Sequence, residues 1–258
     1  MIRITKIPID LLLYVGEFLT KDGVHHDVYN SYFGEEKFAI HFCESTYFAA
    51  LIDNIDMLQE YYGRCRNEKE RKIMLQSAVK AGNMKAIQWL RSNNCPWDSD
   101  ACAMAAREGN LHILIYLHSN NCPWNETACY WAAREGHLEV LKYLHENYCP
   151  WSESACIAAA NHGHLEVLKY LNSNHCPWDL DSCMNEAAEK GHIPILQYID
   201  RKVPCLLEWW DCDAAGRGGH IEVLQWLDDN NFFRAEFVLA CASSNGHLEA
   251  LKYMAENW

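Results

Sequence analysis

Cysteines recur through this 258-residue chain at regular spacings that could supply metal ligands. Two cysteines are separated by six residues in three successive pairs, Cys95/Cys102, Cys122/Cys129 and Cys149/Cys156. Structural zinc sites use closer cysteine pairs. Equivalent cysteines on neighbouring packed helices would stand ~8–10 Å apart, which exceeds the ~4.4–6.8 Å Cα separation of a disulfide. We therefore interpret them as small buried thiols and expect no metal or cofactor.

Five histidines recur in the same way and meet the same geometric objection to a shared metal site: His137, His164, His192, His220 and His247. The chain contains no Gly-x-Gly-x-x-Gly fingerprint, no Gly-x-x-x-x-Gly-Lys phosphate loop and no Gly-x-Ser-x-Gly elbow. Recurring glutamates such as Glu139 and Glu166 precede a lysine by one helical turn, as on a solvated helix face. These patterns favour a protein without catalytic residues.

The cysteines and histidines belong to a repeat. The tripeptide Cys-Pro-Trp begins every 27 residues, at Cys95, Cys122, Cys149 and Cys176. A glycine followed by histidine or asparagine returns at steps of 27 or 28, at Gly82, Gly109, Gly136, Gly163, Gly191, Gly219 and Gly246. A degenerate copy at residues 53–58 makes eight units. Units this short cannot bury their own apolar faces, so we predict that neighbours stack into one continuous core.

Each unit contains the pattern of two short helices. Residues 154–162 are alanine-rich and begin with Ser154, which we predict to cap the first helix. The same capping place is occupied in other units by Asp100, Thr127 and Ser182. Gly163 then ends the helix, since glycine tolerates the left-handed conformation found after helix ends. Residues 164–171 carry apolar side chains at helical spacing and form the second helix.

The unit Ser/Thr-Ala-Cys-x-x-Ala-Ala-x-x-Gly-His-Leu-Glu-Val-Leu-Lys-Tyr-Leu resembles the ankyrin repeat over residues 48–258. The resemblance implies an all-α solenoid of about eight helix-turn-helix units, in which the histidine bonds the backbone of the neighbouring loop. Asp100-Ala101-Cys102-Ala103 and its equivalents replace the family's Thr-Pro-Leu-His segment. The unit is also shorter than the usual ~33 residues, with an Asn-x-Cys-Pro-Trp turn in place of the β-hairpin finger. Such short units resemble those of large DNA viruses of amoebae and of some algae and oomycetes. The viral resemblance implies a viral protein acting in a host.

The four tryptophans of the Cys-Pro-Trp turns form a series that we call the tryptophan ladder: Trp97, Trp124, Trp151 and Trp178. One interpretation buries each ring between adjacent turns, where it replaces the missing finger. The other exposes the rings as a binding stripe, because tryptophan is common at interface hot spots. The constancy of the ladder among the copies favours the structural interpretation.

Variation among the copies marks the candidate binding residues. Positions −6, −5 and −2 from the repeat glycine vary most, and in ankyrin arrays this helix lines the concave groove. The resemblance assigns partner binding to Met104, Arg107, Tyr130, Trp131, Arg134, Asn161, Glu186, Glu189 and Arg217. The same positions also hold Ala103, Ile157, Ala158, Asn185, Asp213 and Ala214. Aromatic and arginine side chains would be the anchors; the alternative is drift at exposed sites.

Residues 1–47 do not repeat. The run from Ile7 to Leu19 resembles the opening helix of an F-box, with proline in the first turn and an apolar stripe after it. In F-boxes this helix docks on the Skp-type adaptor of a cullin–RING ubiquitin ligase. The residues that carry the resemblance are Pro8, Leu11, Leu12, Val15, Phe18 and Leu19. The later F-box helices match poorly, so a plain helical cap over the first repeat is the alternative.

Charge and hydropathy exclude several classes of partner. The chain has 35 acidic and 22 basic residues, a formal charge of −13, which disfavours nucleic-acid binding. No apolar run reaches the ~18 residues of a membrane span. Asp10 and Glu17 interrupt the apolar patch at the start, which argues against a signal peptide. The 13 cysteines then indicate a reducing compartment, the cytoplasm or the nucleus.

We expect a non-catalytic protein–protein interaction scaffold. A more specific hypothesis makes it a substrate receptor, which links a client protein to a cullin–RING ubiquitin ligase through residues 1–47. The alternative is a structural or assembly protein, self-stacking or virion-associated, with no ligase link. We expect a monomer, although the last unit lacks a polar cap and could stack end to end on another chain.

Overall fold

The computed structural model describes residues 54–203, 213–230 and 235–257. These residues form helices and turns, and no β-strand occurs among them. The helices, numbered here along the chain, are α1 Ile55–Arg64, α2 Glu68–Lys80, α3 Met84–Ser92, α4 Ser99–Arg107, α5 Leu111–Ser119, α6 Glu126–Arg134, α7 Leu138–Glu146, α8 Glu153–Asn161, α9 Leu165–Ser173, α10 Leu180–Glu189, α11 Ile193–Lys202, α12 Asp213–Gly218, α13 Ile221–Asp229, α14 Ala235–Ser244 and α15 Leu248–Asn257. None of them is both long and apolar enough to cross a membrane. The predicted all-α, helix-turn-helix architecture is confirmed.

The chain divides into two compact units, Met1–Trp97 and Asp98–Trp258. The described part of the first unit contains α1, α2 and α3. Helix α1 begins after Asn54, whose side chain accepts a hydrogen bond of 2.9 Å from the Met57 amide. This helix occupies the place of the degenerate copy that the sequence predicts at residues 53–58. The predicted domain boundary between residues 47 and 48 lies outside the described residues.

The second unit contains a series of hairpins, from α4/α5 to α14/α15, whose first helices pack on one another in chain order. The first helices meet through small residues such as Cys129 and Ala132, which are fully buried. The second helices fill the remaining volume with larger side chains, such as the fully buried Leu141 and Leu144. Alanine and cysteine allow close approach of the first helices, while leucine completes the dense packing that a stable core requires.

The first helices begin earlier than the sequence predicts. Helix α8 starts at Glu153 and its N-cap is Ser152 rather than Ser154. The caps of the other helices likewise move from Asp100, Thr127 and Ser182 to Asp98, Asn125 and Asp179. The displaced residues lie in the first turn, and three of them donate their backbone amide to the new cap: Asp100, Thr127 and Ser182. The prediction was wrong because both candidate positions hold good capping residues, and the helix takes the one that follows the tryptophan.

The two helices of a hairpin are joined by a glycine turn, centred on one of the repeat glycines. At Gly163, with a φ of +79°, the His164 amide donates to the Ala159 carbonyl at 2.9 Å and the Gly163 amide to the Ala160 carbonyl at 3.3 Å. This pair of hydrogen bonds is the Schellman motif. The seven repeat glycines all have φ between +65° and +81°, which confirms the predicted helix ends.

Each described hairpin up to α8/α9 is joined to the next by an outer turn, which uses the same hydrogen bonds without glycine. At Tyr148, with a φ of +61°, the Tyr148 amide donates to the His145 carbonyl at 3.0 Å and the Cys149 amide to the Leu144 carbonyl at 2.9 Å. The outer turns are centred on Asn94, Asn121, Tyr148 and His175. The sequence does not predict this conformation, since a positive φ is uncommon for residues other than glycine.

In the second unit, each repeat histidine ties its hairpin to the preceding first helix. His164 Nε2 lies 3.0 Å from the carbonyl oxygen of Arg134, the last residue of α6. Because a carbonyl only accepts, this nitrogen carries the proton. The equivalent pairs are His137–Arg107, His192–Asn161, His220–Glu189 and His247–Arg217. The role implied by the ankyrin resemblance is therefore confirmed.

The cysteine of each Cys-Pro-Trp turn makes a second tie. Cys149 Sγ lies 3.3 Å from the carbonyl oxygen of Asn125, the N-cap of α6. Cys122 and Cys176 contact the carbonyls of Asp98 and Ser152 in the same way. The following hairpin therefore holds α6 at both ends, through Cys149 at its start and His164 at its finish.

Candidate partner-binding surface

The predicted partner-binding residues lie on the first helices α4, α6, α8, α10 and α12. Arg107 is exposed, and the others are half-buried: Met104, Tyr130, Trp131, Arg134, Asn161, Glu186, Glu189 and Arg217. Three residues at the equivalent −6 and −5 positions are buried and cannot contact a partner: Ala103, Ala158 and Ala214. Their short side chains belong to the packing between helices. Positions −6 and −5 are thus accessible only where a longer side chain extends beyond the backbone.

The −2 position combines a constant backbone contact with a variable side chain. The carbonyls of five such residues each accept a hydrogen bond from the histidine of the next hairpin: Arg107, Arg134, Asn161, Glu189 and Arg217. Because the −2 residue takes part in this bond only through its backbone carbonyl, its side chain can differ from copy to copy without weakening the stack. At this position the backbone carbonyl stabilises the stack, and the side chain remains available for contact with a partner.

One end of this surface is cationic and aromatic. We call Arg107, Tyr130, Trp131, Arg134 and His162 the Trp131 patch. The guanidinium carbons of Arg107 and Arg134 lie 4.5 and 4.7 Å from the centroid of the Trp131 ring, within the range of cation–π attraction. The Tyr130 ring meets Trp131 edge-on at 5.4 Å. Side chains from two successive first helices, α4 and α6, converge on this indole.

His162 is the member of the patch that the sequence analysis missed. Its Nδ1 lies 3.2 Å from the Ala158 carbonyl and its Nε2 lies 3.3 Å from Arg134 Nε. Since the carbonyl and the guanidinium have fixed roles, Nδ1 donates and Nε2 accepts. The residue stands at position −1, next to the variable position used for the prediction. A wider window along the same helix face would have included it.

The other end of the surface carries carboxylates that are already paired. We call Glu189, Lys190, Asp213 and Arg217 the Glu189 cluster. Arg217 donates to Asp213 at 2.6 Å and to Glu189 at 3.3 Å, while Lys190 lies 3.0 Å from Glu189. Hydrogen bonds from Lys190 and Arg217 hold the pKa of the Glu189 carboxyl below its usual range, against the opposing effect of burial. Between the two ends, the Asn161 amide donates to Glu186.

The tryptophan ladder contacts the second helices. Trp124 is half-buried and stacks on His118, with ring centroids 3.8 Å apart. It also meets Tyr143 of the following hairpin edge-on at 6.3 Å, and His118 Nδ1 lies 2.9 Å from the Tyr143 hydroxyl. Trp151 repeats this arrangement with the equivalent histidine and tyrosine. Rings that pack between successive hairpins favour the structural interpretation of the ladder.

In the first unit, Trp97 has Arg91 as its partner, with the guanidinium carbon 3.6 Å from the ring centroid. At the other end of the ladder, Trp178 lies parallel to Tyr198 at 6.1 Å. Both tryptophans are half-buried. The partner of each ring therefore changes along the ladder, while the half-buried position of the tryptophan is kept.

The ten cysteines of the described residues are free thiols. Burial raises the pKa of Cys95 to about 12 and of Cys183 to about 12, so both thiols stay protonated at neutral pH. In residues 54–203, 213–230 and 235–257 no three histidine, cysteine or carboxylate side chains could hold one metal ion. On the second helices, Glu139 and Glu166 pair with Lys142 and Lys169 at 2.7 Å, as predicted for a solvated face.

The predicted adaptor-binding residues lie outside the described residues: Pro8, Leu11, Leu12, Val15, Phe18 and Leu19. In the part that the structure describes, the ankyrin repeat family model matches residues 75–153 and 102–181. A search of curated proteins found no match. The chain thus carries ankyrin repeats over residues 75–181, the part that contains α4 to α9 and the Trp131 patch. Ankyrin repeats indicate a protein–protein interaction scaffold, and proteins built from them are generally non-catalytic.

Proposed function

We propose that the first helices α4 to α12 hold a client protein on their accessible, variable side chains. The observation that carries this proposal is the arrangement at position −2, where the backbone is tied by the histidine of the next hairpin and the side chain varies. Because the tie does not constrain these side chains, the equivalent positions of Arg107, Asn161 and Glu189 are available for recognition. Two arginines, a tyrosine and a tryptophan converge in the Trp131 patch, and these residue types dominate interface hot spots.

The test is affinity capture with the purified full-length chain as bait. Tyr130→Ala with Trp131→Ala should reduce recovery of a client at least about tenfold, the loss expected when central aromatic anchors are removed. The matched control is Lys142→Ala with Lys169→Ala, which changes exposed side chains on the second helices and should leave recovery unchanged. Equal recovery by the aromatic double variant, with the fold intact by circular dichroism, would exclude the first-helix surface.

The finer proposal is that the chain is a substrate receptor of a cullin–RING ubiquitin ligase. It is supported by the Pro8-to-Leu19 pattern, which precedes the repeat array in the sequence. Leu12→Asp with Phe18→Asp should abolish pull-down of the Skp-type adaptor, while client capture through the array stays intact. No interaction of the wild-type chain with the adaptor would rule out the ligase link and leave the scaffold function standing.

A second candidate function is assembly, either by self-stacking or as part of a virion. It is favoured by the exposure of Leu248, which is 61% accessible, whereas the equivalent leucines Leu138 and Leu165 are half-buried. Sedimentation at increasing concentration should show larger species that disappear with Leu248→Glu. A monomer at all concentrations would exclude self-stacking.

We also propose that the protein acts in the cytoplasm, which is that of the host cell if the protein is viral, or in the nucleus. The support is the 13 cysteines together with the state of the ten in the described residues, which are free thiols. Reducing compartments keep thiols in this state. The test is fractionation of the cells that produce the protein. Recovery of the chain from a secretory fraction would contradict the proposal.

A further inference from the structure

We infer that the Trp131 patch binds an acidic peptide segment of the client, through the carboxylates of aspartate or glutamate residues. The inference rests on the proposed scaffold function and assigns a chemistry to one part of its surface. It follows from what the arginines of the patch contact and from what they do not.

The guanidinium groups of Arg107 and Arg134 lie over the Trp131 ring. A guanidinium has five N–H donors in its plane, and contact with an aromatic ring through its face leaves the donors at its edge available. Arg107 forms no ion pair with any described residue. Arg134 Nε lies 4.0 Å from a carboxylate oxygen of Glu135 and donates to His162. Donors suited to bidentate carboxylate binding therefore remain at the surface.

The same surface contains an internal comparison. Arg217 occupies the same −2 position two hairpins beyond α8, but it is bound by Asp213 and Glu189 at 2.6 and 3.3 Å. Where this chain supplies carboxylates itself, it neutralises the arginine. At the Trp131 patch it supplies an aromatic ring, which holds the arginines in place without neutralising them, and the Glu135 carboxylate lies 4.0 Å from Arg134, farther than either partner of Arg217. A fixed pair of cations with available donors is complementary to carboxylates of another chain.

The formal charge of −13 opposes an acidic ligand at long range. At physiological ionic strength, charges more than ~8 Å apart are largely screened, so the distant carboxylates count for little. Charges in contact are screened far less. Recognition should therefore depend on contact with Arg107 and Arg134, and it should weaken as salt is added.

The probe is a fluorescein-labelled octa-glutamate peptide, whose fluorescence anisotropy is titrated with the full chain. Octa-glutamine and octa-lysine peptides serve as neutral and cationic comparators. We expect octa-glutamate to bind about tenfold or more tightly than either, the difference typical of charge-assisted hydrogen bonds. Arg107→Ala with Arg134→Ala should abolish that preference.

Two further variants separate charge loss from misfolding. Arg107→Lys with Arg134→Lys keeps the charge but not the planar fork, and we expect it to retain part of the affinity. Lys169→Ala removes a cation from the second helix α9, outside the first-helix surface, where it pairs with Glu166 at 2.7 Å, and octa-glutamate affinity should stay within about twofold of the wild type. Unchanged far-UV circular dichroism and melting temperature establish that each variant is folded.

Three results would overturn the inference: octa-lysine binding as tightly as octa-glutamate, unchanged affinity in the folded Arg107→Ala/Arg134→Ala variant, or a phosphoserine peptide preferred about tenfold over octa-glutamate. The last would assign the patch to phosphorylated partners. Client capture that survives loss of both arginines but depends on Glu186 would also refute it while leaving the scaffold function in place. If no variant or wild-type chain captures a client, the scaffold function itself fails.

Discussion

Every complete hairpin up to α8/α9 has two turns, the glycine turn and the outer turn that follows it. Both turns have the same hydrogen bonds and one residue in the left-handed conformation, yet only the glycine turn uses glycine there. At the glycine turn of Gly163, a Cβ would lie 2.8 Å from Cε1 of His192 in the next hairpin. At the outer turn, Tyr148 has a φ of +61° and is 92% exposed. The two turns therefore have the same positive φ, but a side chain has room at the outer turn and not at the glycine turn.

The comparison shows which of two requirements selects glycine in this repeat. A left-handed φ disfavours other residues by roughly 1–2 kcal/mol, and the outer turns tolerate that cost at Tyr148 and His175. Five glycine turns must also accommodate the histidine ring that ties the next hairpin. At these five, the positive φ and the close approach of the ring coincide: Gly109, Gly136, Gly163, Gly191 and Gly219.

The largest effect should come from Gly163→Ala. The methyl group adds left-handed strain and displaces the His192 ring from the Asn161 carbonyl, which it contacts at 2.9 Å. Strain and the lost bond together should lower the free energy of unfolding by about 3 kcal/mol, measured by urea denaturation. Gly246→Ala is the matched control: its φ is +73° but no atom lies within 4 Å of the added Cβ. Its cost should be limited to the strain, and an equal loss in both variants would disprove the role of the ring.

His164→Ala tests the tie without altering the turn. It removes the hydrogen bond to the Arg134 carbonyl and leaves that acceptor without its donor, which should cost about 1–3 kcal/mol. It is combined with Gly136→Ala, whose Cβ would meet the His164 ring at 2.6 Å. The double variant should lose less free energy of unfolding than the sum of the two single losses. With the ring absent, the added methyl group should cost only the strain. Strictly additive losses would show that the ring and the glycine do not interact.

The outer turn should respond in the opposite direction. Tyr148→Gly relieves the left-handed strain of an exposed side chain, so the free energy of unfolding should rise by up to about 1 kcal/mol. Asn121→Gly should change stability less, since asparagine tolerates this conformation better than tyrosine. Thermal melting of both variants beside the wild type makes the comparison. A loss of stability in Tyr148→Gly would mean that the tyrosine side chain contributes more than its exposure indicates.

The smallest expected effect concerns pH. Burial lowers the pKa of His164 below its usual value, although the bond to the Arg134 carbonyl partly opposes this. The folded state therefore binds a proton less readily than the unfolded state, and His164 contributes stability above its unfolded pKa that is lost as the pH falls through the folded value. Urea denaturation between pH 7.5 and pH 5 should show this loss in the wild type, with a shallower dependence in His164→Asn. An identical pH dependence would assign the effect to other groups.

The glycine turns, the stacked hairpins and the accessible −2 positions were predictable because each depends on a periodic signal that every copy repeats. The helix starts were not, because Ser152 and Ser154 are equally good caps and the choice depends on the geometry of the preceding turn. The left-handed Tyr148 was not predictable either, since its residue type argues against the conformation. His162 was missed at the binding surface because its role depends on the Arg134 side chain of the preceding first helix, α6, rather than on variation among copies.

Each hairpin bonds to both ends of the preceding first helix, and this affects how the number of repeats in such a chain can change during evolution. Cys149 and His164 contact carbonyls at the two ends of α6, and Cys176 and His192 contact carbonyls at the two ends of α8. Duplication or deletion of one whole 27-residue segment therefore recreates equivalent contacts at the junction. A gene encoding this array can gain or lose units by unequal recombination and still specify a folded product, with a different row of side chains presented each time.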